Sequence, residues 1–152
     1  MHGNALLELE RALSFSTMTY RQGTKDTKAS ADTLSYDVLG AAINVHRELG
    51  PGLLESAYEA CLCRELSLRQ IKYERQVPLS LRYRGMAVDC GYRVDLIVGG
   101  LMLVEVKAVT KVLPIHRAQA MTYIKLLKLN LAFVINFNVE RLNLGIYRIV
   151  MS

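Results

Sequence analysis

The stretch from Leu101 to Val109 is an apolar run interrupted by only two charges, Glu105 and Lys107. Its composition predicts a β-strand. Because side chains alternate between the two faces of a strand, Glu105 and Lys107 share one face, and the other face is wholly apolar. Burying a charge costs free energy unless the charge is paired or binds a metal ion. We therefore expect a strand buried on both faces, whose two charges serve a chemical purpose.

A second acid, Asp95, lies ten residues before Glu105 in another apolar strand, predicted for Val88 to Val98. Glycines 99 and 100 would turn this strand into the next. Two acids and a lysine on adjacent strands suggest a metal-dependent site for phosphodiester chemistry. The alternative for the same three residues is a buried salt-bridge network, which is expensive in an apolar strand pair.

The register of this hairpin decides whether the two acids meet. A two-residue loop of glycines 99 and 100 would point Asp95 away from Glu105. A three-residue loop that also includes Val98 pairs Asp95 with Leu103 and brings the polar groups to one face. Glycine at the third loop position suits the left-handed conformation that such loops need, and a β-bulge would have the same effect.

The composition is that of a globular protein, with 152 residues, 51% hydrophobic and 22% charged. No apolar stretch is long enough to cross a membrane, and Glu8 and Glu10 interrupt any signal-peptide pattern. We therefore expect a cytoplasmic protein without a membrane partner. The three cysteines are an odd number and are predicted to be reduced thiols.

The positive charge is concentrated in one part of the chain. Residues 72–152 contain twelve basic and five acidic residues, a net +7, whereas residues 34–71 have a net −2 and residues 1–33 are neutral. Asp95, Glu105 and Lys107 all lie in the basic part. This distribution favours a polyanionic partner such as nucleic acid.

The order of predicted elements is ααβββαββ, a mixed α/β fold. Residues 1–33 are predicted to be an N-terminal appendage or linker with little order, and residues 34–152 a single domain. The first helix is expected from Ser35 to the break at Gly50-Pro51-Gly52. The elements that follow are predicted at residues 54–70 (helix), 77–83, 88–98 and 101–109 (strands), 116–129 (helix), and 131–137 and 144–150 (strands).

Four short motifs in this order resemble a known family. Gly91-x-x-x-Asp95, Glu105-Val106-Lys107 and Gln119-x-x-x-Tyr123 look like the signature of RecB-like members of the PD-(D/E)XK nuclease superfamily. The segment Gly52 to Tyr58 matches the motif of its GxxExxY branch. The resemblance covers roughly Leu34 to Val150. It implies a restriction-endonuclease-like core with a mixed central sheet flanked by helices.

The resemblance also implies a Mg²⁺- or Mn²⁺-dependent nuclease that hydrolyses phosphodiester bonds, with DNA the expected substrate. Asp95 and Glu105 would bind the metal ion, helped by the carbonyl of Val106 and by Glu55. Adjacent acids repel each other, and Mg²⁺, which prefers oxygen ligands, would remove that cost. Lys107 would orient the attacking water and offset charge in the transition state.

Further residues are candidates for catalysis and nucleic-acid contact. By resemblance, Gln119 would hold a water or a phosphate and Tyr123 would support it. His116 and Arg117 lie at a helix N-terminus, which attracts phosphate. The remaining basic candidates are Arg93 and Lys111, with Arg82, Arg84 and Lys125 also available for a groove.

A second hypothesis is a nucleic-acid-binding module that keeps the fold but is non-catalytic or depends on a partner. A protein partner or a homodimer is compatible with either hypothesis. The two acids and Lys107 favour the enzyme, because a binding module does not need them.

Overall fold

A computed structural model describes residues 25–152, with side chains from Ser30 onward. The described part has three α-helices, a short 3₁₀ turn and one five-stranded sheet. The helices are α1 (Lys25–Leu49), α2 (Glu55–Leu68) and α3 (Pro114–Leu127). The strands are β1 (Tyr73–Tyr83), β2 (Met86–Val98), β3 (Met102–Lys107), β4 (Leu131–Asn136) and β5 (Ile146–Val150), and the 3₁₀ turn is Leu142–Gly145. The predicted order ααβββαββ and the mixed α/β class are confirmed.

The first helix is longer than the sequence pattern indicates. It begins at Lys25 instead of Ser35, so it crosses the predicted boundary between residues 33 and 34 without a break. The linker was predicted from residues 14–33, which are rich in Ser, Thr, Gly and Lys, and residues 25–33 of this segment lie within the helix. The rest of the predicted appendage, residues 1–24, lies outside the described residues.

The strands follow the order β1-β2-β3-β4-β5 across the sheet. β3 and β4 are parallel, and the other neighbouring pairs are antiparallel. A parallel pair needs a crossover connection, which α3 provides. α1 and α2 cover one face of the sheet, and α3 packs against the other. The strand β3 is thus central, and residues 102–106 are buried on both faces, as predicted.

The loop between β2 and β3 has the predicted length but a different position. Val98 pairs with Met102, so the loop is Gly99-Gly100-Leu101, and the predicted pairing of Asp95 with Leu103 is wrong. Both glycines adopt positive φ angles, 59° and 66°, and the Leu101 N–H donates to the Val98 carbonyl at 3.0 Å. Continuing the register by one place sets Asp95 opposite Glu105.

The β1–β2 hairpin extends beyond the rest of the sheet. β2 pairs with β3 through residues 96–98, whereas β1 pairs with β2 from Tyr73 to Tyr83. Residues 77–94 therefore form a two-stranded ribbon, called here the β1–β2 ribbon, that leaves β3 at the position of Asp95.

Candidate active site

Asp95 and Glu105 meet where β2 and β3 separate. The Asp95 N–H donates to Glu105 Oε1 at 3.1 Å, and the Val106 N–H donates to Asp95 Oδ2 at 2.8 Å. The last regular pair of the two strands is Leu96 with Val104. Beyond that pair, the two carboxylates bond to the N–H groups of the opposite strand. The separation of the strands thus creates the place where both acids lie together.

The surroundings of these acids disfavour their ionised forms. Glu105 is 8% exposed, and its burial, followed by the nearby charge of Asp95, raises its pKa to about 7. Burial also raises the pKa of Asp95, with the charge of Glu59 adding to the effect and the hydrogen bond from Val106 opposing it. A cation between the two carboxylates would instead favour their ionised forms.

Lys107 follows Glu105 by two residues on β3 and is half-buried. Its positive charge lowers the pKa of both Asp95 and Glu105. Among residues 30–152, the ion pairs within 4.0 Å join Arg69 to Glu65, Arg75 to Glu59, and Arg148 to Asp32. Lys107 therefore belongs to no salt bridge in this part of the chain, which argues against a purely structural network.

Glu55 is the first residue of α2 and reaches the end of β3. Its Oε1 accepts a hydrogen bond from the Ala108 N–H at 3.3 Å, and its charge contributes to the raised pKa of Glu105. The direction of α2 depends on Tyr58, whose hydroxyl donates to the Gly50 carbonyl at 2.5 Å and accepts from the Leu53 N–H at 3.1 Å. The glutamate and tyrosine of the Gly52 to Tyr58 segment thus have separate roles, at the site and at the turn.

Gln76 and Glu59 join the site behind Asp95, and the sequence did not identify them. The Gln76 side-chain amide donates to Glu59 Oε1 at 2.7 Å and to Asp95 Oδ1 at 3.3 Å. Glu59 is 6% exposed and also pairs with Arg75 at 3.4 Å. Glu59 lies one helical turn after Glu55, so the helix period could have placed it on the same face. Gln76 gave no such signal, because its position depends on a φ angle of 53° within β1.

The helix α3 brings Tyr123 to the acids. Burial raises the pKa of Tyr123, and the charges of Glu105 and Asp95 add to that effect. Gln119 lies one turn earlier on the same face of α3 and is half-buried. Within residues 30–152, its side-chain amide makes no hydrogen bond, so it is available to a ligand.

The predicted basic contacts are distributed unevenly around the site. Arg93 lies beside it, since its guanidinium donates to the Gln76 carbonyl at 3.2 Å. His116 Nδ1 accepts the Leu113 N–H at 3.0 Å and so caps the start of α3. The guanidinium of Arg117 lies 5.6 Å from the ring centre of Tyr147 on β5, towards the opposite edge of the sheet. Lys111 is exposed in the loop between β3 and α3.

Asn136 fixes the end of β3. It is 3% exposed, and it pairs with Lys107 in the register of β3 and β4. Its side chain accepts from the Val109 N–H at 3.0 Å and donates to the Val109 carbonyl at 2.9 Å. The segment that follows Lys107 is thereby tied to β4.

The donor groups suit a hard divalent cation. Asp95 and Glu105 offer carboxylate oxygens, and Glu105 Oε2 accepts no hydrogen bond from the part of the chain described, residues 30–152. In those residues, no group of three or more His, Cys, Asp or Glu side chains is arranged to hold a metal ion. The predicted ligands are the carboxylates of Asp95 and Glu105 and the carbonyl of Val106, and Glu55 stays a further predicted ligand. Water would complete the shell, as is usual for Mg²⁺.

A family model described as the PD-(D/E)XK nuclease superfamily matches residues 32–149. The chain belongs to the PD-(D/E)XK nuclease superfamily. No curated protein and no solved structure shows significant similarity to the chain. The match confirms the superfamily that the sequence resembles, and the GxxExxY branch stays a prediction. In residues 25–152, no helix of this nuclease-superfamily protein is long and apolar enough to span a membrane.

Proposed function

We propose that this member of the nuclease superfamily is a Mg²⁺- or Mn²⁺-dependent nuclease that hydrolyses phosphodiester bonds in DNA. The observation that supports this most directly is the pair of carboxylates formed by the half-buried Asp95 and the buried Glu105, with Lys107 two residues after Glu105 on the central strand. Such a group is costly to keep in a folded protein unless it binds a ligand or performs chemistry.

Each residue of the site has a role in this proposal. Asp95, Glu105 and the Val106 carbonyl would hold the metal ion, which would polarise the scissile phosphate and lower the pKa of a bound water. Lys107 offsets the negative charge that develops on the phosphate in the transition state. Glu55, at the end of β3, and Gln119, on α3, position water.

The Gln76 amide supports the orientation of Asp95. Because this amide also donates a hydrogen bond to the buried Glu59, the orientation of the Gln76 side chain is fixed. A metal ligand held in this way requires little rearrangement when the cation binds.

The charge distribution supports a nucleic-acid substrate. Residues 72–152 have a net +7 from twelve basic and five acidic residues, and they contain Asp95 and Glu105. Three of these basic residues belong to the β1–β2 ribbon: Arg93 lies two residues before Asp95, and Arg82 and Arg84 lie at the far end of the ribbon. A basic surface of this kind attracts the phosphate backbone, and binding should weaken steeply as salt is added.

The test is a cleavage assay on labelled DNA and RNA, single- and double-stranded, with Mg²⁺, Mn²⁺ or EDTA. We expect cleavage of DNA with either metal ion and none with EDTA. If the purified protein cuts no nucleic acid under any of these conditions but binds DNA in a salt-dependent way, the nuclease proposal fails. The non-catalytic or partner-dependent binding module would then replace it.

A further inference from the structure

An exposed tyrosine of the β1–β2 ribbon lies close to the acid pair. The ring of Tyr92 is 6.3 Å from that of Tyr123, centre to centre, with the planes tilted by 40°. Tyr123 itself packs against the core cluster that contains Val94 and Leu103, and the charges of Glu105 and Asp95 contribute to its raised pKa. The two rings therefore form an aromatic surface that begins beside the candidate catalytic carboxylates and ends in solvent.

The ribbon presents Tyr92 to solvent in a defined way. Tyr92 is 58% exposed, although burying an aromatic ring is usually favourable. Gly91, just before it, has a φ angle of 67°, and its N–H donates to Asp89 Oδ1 at 2.9 Å. The backbone is thus turned and held immediately before Tyr92. Arg93 follows directly and is held by its hydrogen bond to the Gln76 carbonyl.

An aromatic ring next to a phosphate-cleaving centre can stack on a base of the substrate. Stacking on a side chain requires a base that is not already stacked on both sides within a duplex. The neighbouring Arg93 supplies a positive charge for the phosphate of the same nucleotide. This combination of exposed ring, cation and nearby acids fits a nucleotide better than it fits an apolar protein surface.

We propose that Tyr92 and Tyr123 form a stacking site for an unpaired base next to the scissile phosphate, so that the substrate is single-stranded DNA or an unpaired DNA end. This inference rests on the proposed nuclease function for its position next to the scissile phosphate. The stacking itself can be measured without cleavage.

The chain contains no tryptophan, which allows a direct test. The variant Tyr92→Trp carries a single indole at the site. A matched control is Tyr83→Trp, because Tyr83 is 59% exposed and lies at the far end of the same ribbon. Both variants are titrated in EDTA with a single-stranded oligodeoxythymidine and with a fully paired duplex, and tryptophan fluorescence is recorded.

We expect single-stranded DNA to quench the indole at position 92 strongly and the one at position 83 weakly, with little quenching by duplex at either position. Removal of the ring in Tyr92→Ala should weaken binding of the single strand about tenfold or more, the scale of one lost base stack. Tyr92→Phe should bind as the parent does, and duplex binding should be equal in all three proteins.

Equal quenching at the two positions, or an equal loss of single-strand and duplex affinity in Tyr92→Ala, overturns the stacking site. These outcomes are separate from those of the cleavage assay. Quenching at position 92 in a protein that cuts nothing would leave the stacking site standing and remove the nuclease function. Cleavage without selective quenching would support the nuclease function and overturn the stacking site.

Discussion

Asp95 and Glu105 each bond to the backbone of the opposite strand, through the Asp95 N–H to Glu105 Oε1 and the Val106 N–H to Asp95 Oδ2. The same two carboxylates that would bind a metal ion therefore also hold β2 and β3 together where the regular pairing ends. Substitutions that keep a hydrogen-bond acceptor separate these two functions better than truncation to alanine does.

Metal binding should stabilise the protein through Asp95. Added Mg²⁺ should raise the Tm by mass action, equivalent to about 2.7 kcal/mol at about one hundred times the Kd. Asp95→Asn should lose this gain. The control is Asp89→Asn, which removes a carboxylate from the same strand where it caps Gly91. The two variants and the parent are compared by thermal unfolding with Mg²⁺ or EDTA. A full metal response in Asp95→Asn would exclude Asp95 as a ligand.

Glu105 should make stability depend on pH when no metal is present. Its pKa is about 7 in the folded protein against an ordinary value of 4.5, so folding takes up a proton between these values. The free energy of unfolding should therefore fall as the pH rises through this window, by at most about 3 kcal/mol. Urea unfolding at the two ends of the window, in EDTA, measures the change.

Glu105→Gln should flatten this dependence, because its side chain does not ionise, while the titration of Asp95 remains. Saturating Mg²⁺ should also flatten it in the parent, since the metal ion favours the ionised carboxylate. An unchanged slope in Glu105→Gln would mean that other groups cause the dependence.

Lys107 should matter for cleavage and hardly for folding. Lys107→Ala should lose at least about a hundredfold in cleavage rate, the scale of removing one electrostatic stabiliser of a transition state. DNA affinity and Tm should change little, because the side chain is half-buried and forms no salt bridge with any of residues 30–152. Lys128→Ala, which removes an exposed lysine just after α3 that is not among the predicted contacts, is the control. Equal cleavage by both variants would remove Lys107 from the mechanism.

Gln76 should support the site through Asp95 and Glu59. Gln76→Leu leaves the buried Glu59 without one partner, which should cost about 1–3 kcal/mol and should also weaken metal binding. Gln70→Leu is a close control, because Gln70 has a similar φ angle, 59° against 53°, and lies outside the site. Urea unfolding and Mg²⁺ titration are measured on both. If the two variants lose equal stability and bind Mg²⁺ equally, backbone conformation alone explains the effect.

Tyr58 should contribute stability through the turn between α1 and α2. Tyr58→Phe removes the hydroxyl that bonds to Gly50 and Leu53 but keeps the ring stacked on Phe137 at 4.6 Å. We expect a loss of about 1–2 kcal/mol in the free energy of unfolding. Tyr36→Phe, at an exposed position of α1, should lose almost nothing in the same urea experiment. No difference between the two variants would contradict the assigned role.

The sequence predicted the parts of the fold that depend on strong local patterns. The apolar run around Glu105 predicted a central strand, and Gly50-Pro51-Gly52 predicted the end of the first helix, because both signals are local. That Asp95 and Glu105 share one face of the hairpin was also predictable, since a three-residue loop at either position puts both side chains on the same side. The three residues that form the loop could not be predicted, because the position of the loop depends on the positive φ angles of two adjacent glycines.

The contact of Gln76 with Asp95 was harder to predict. Gln76 bonds to Asp95 from a strand position with a positive φ angle, and no sequence pattern predicts such an angle. The start of α1 was misjudged for a related reason. Residues 25–33 have low helix propensity, and they continue a helix whose later turns pack against the sheet.

The pairing of β3 with β4 also sets the order in which the site is completed during synthesis. Asp95, Glu105 and Lys107 leave the ribosome before Leu131–Asn136, yet β3 lies between β2 and β4 and its end is tied down by Asn136. Contacts between distant parts of a chain form only after the intervening segment has been made. A growing chain therefore carries all the proposed catalytic groups before β4 is available to hold the end of β3 in place.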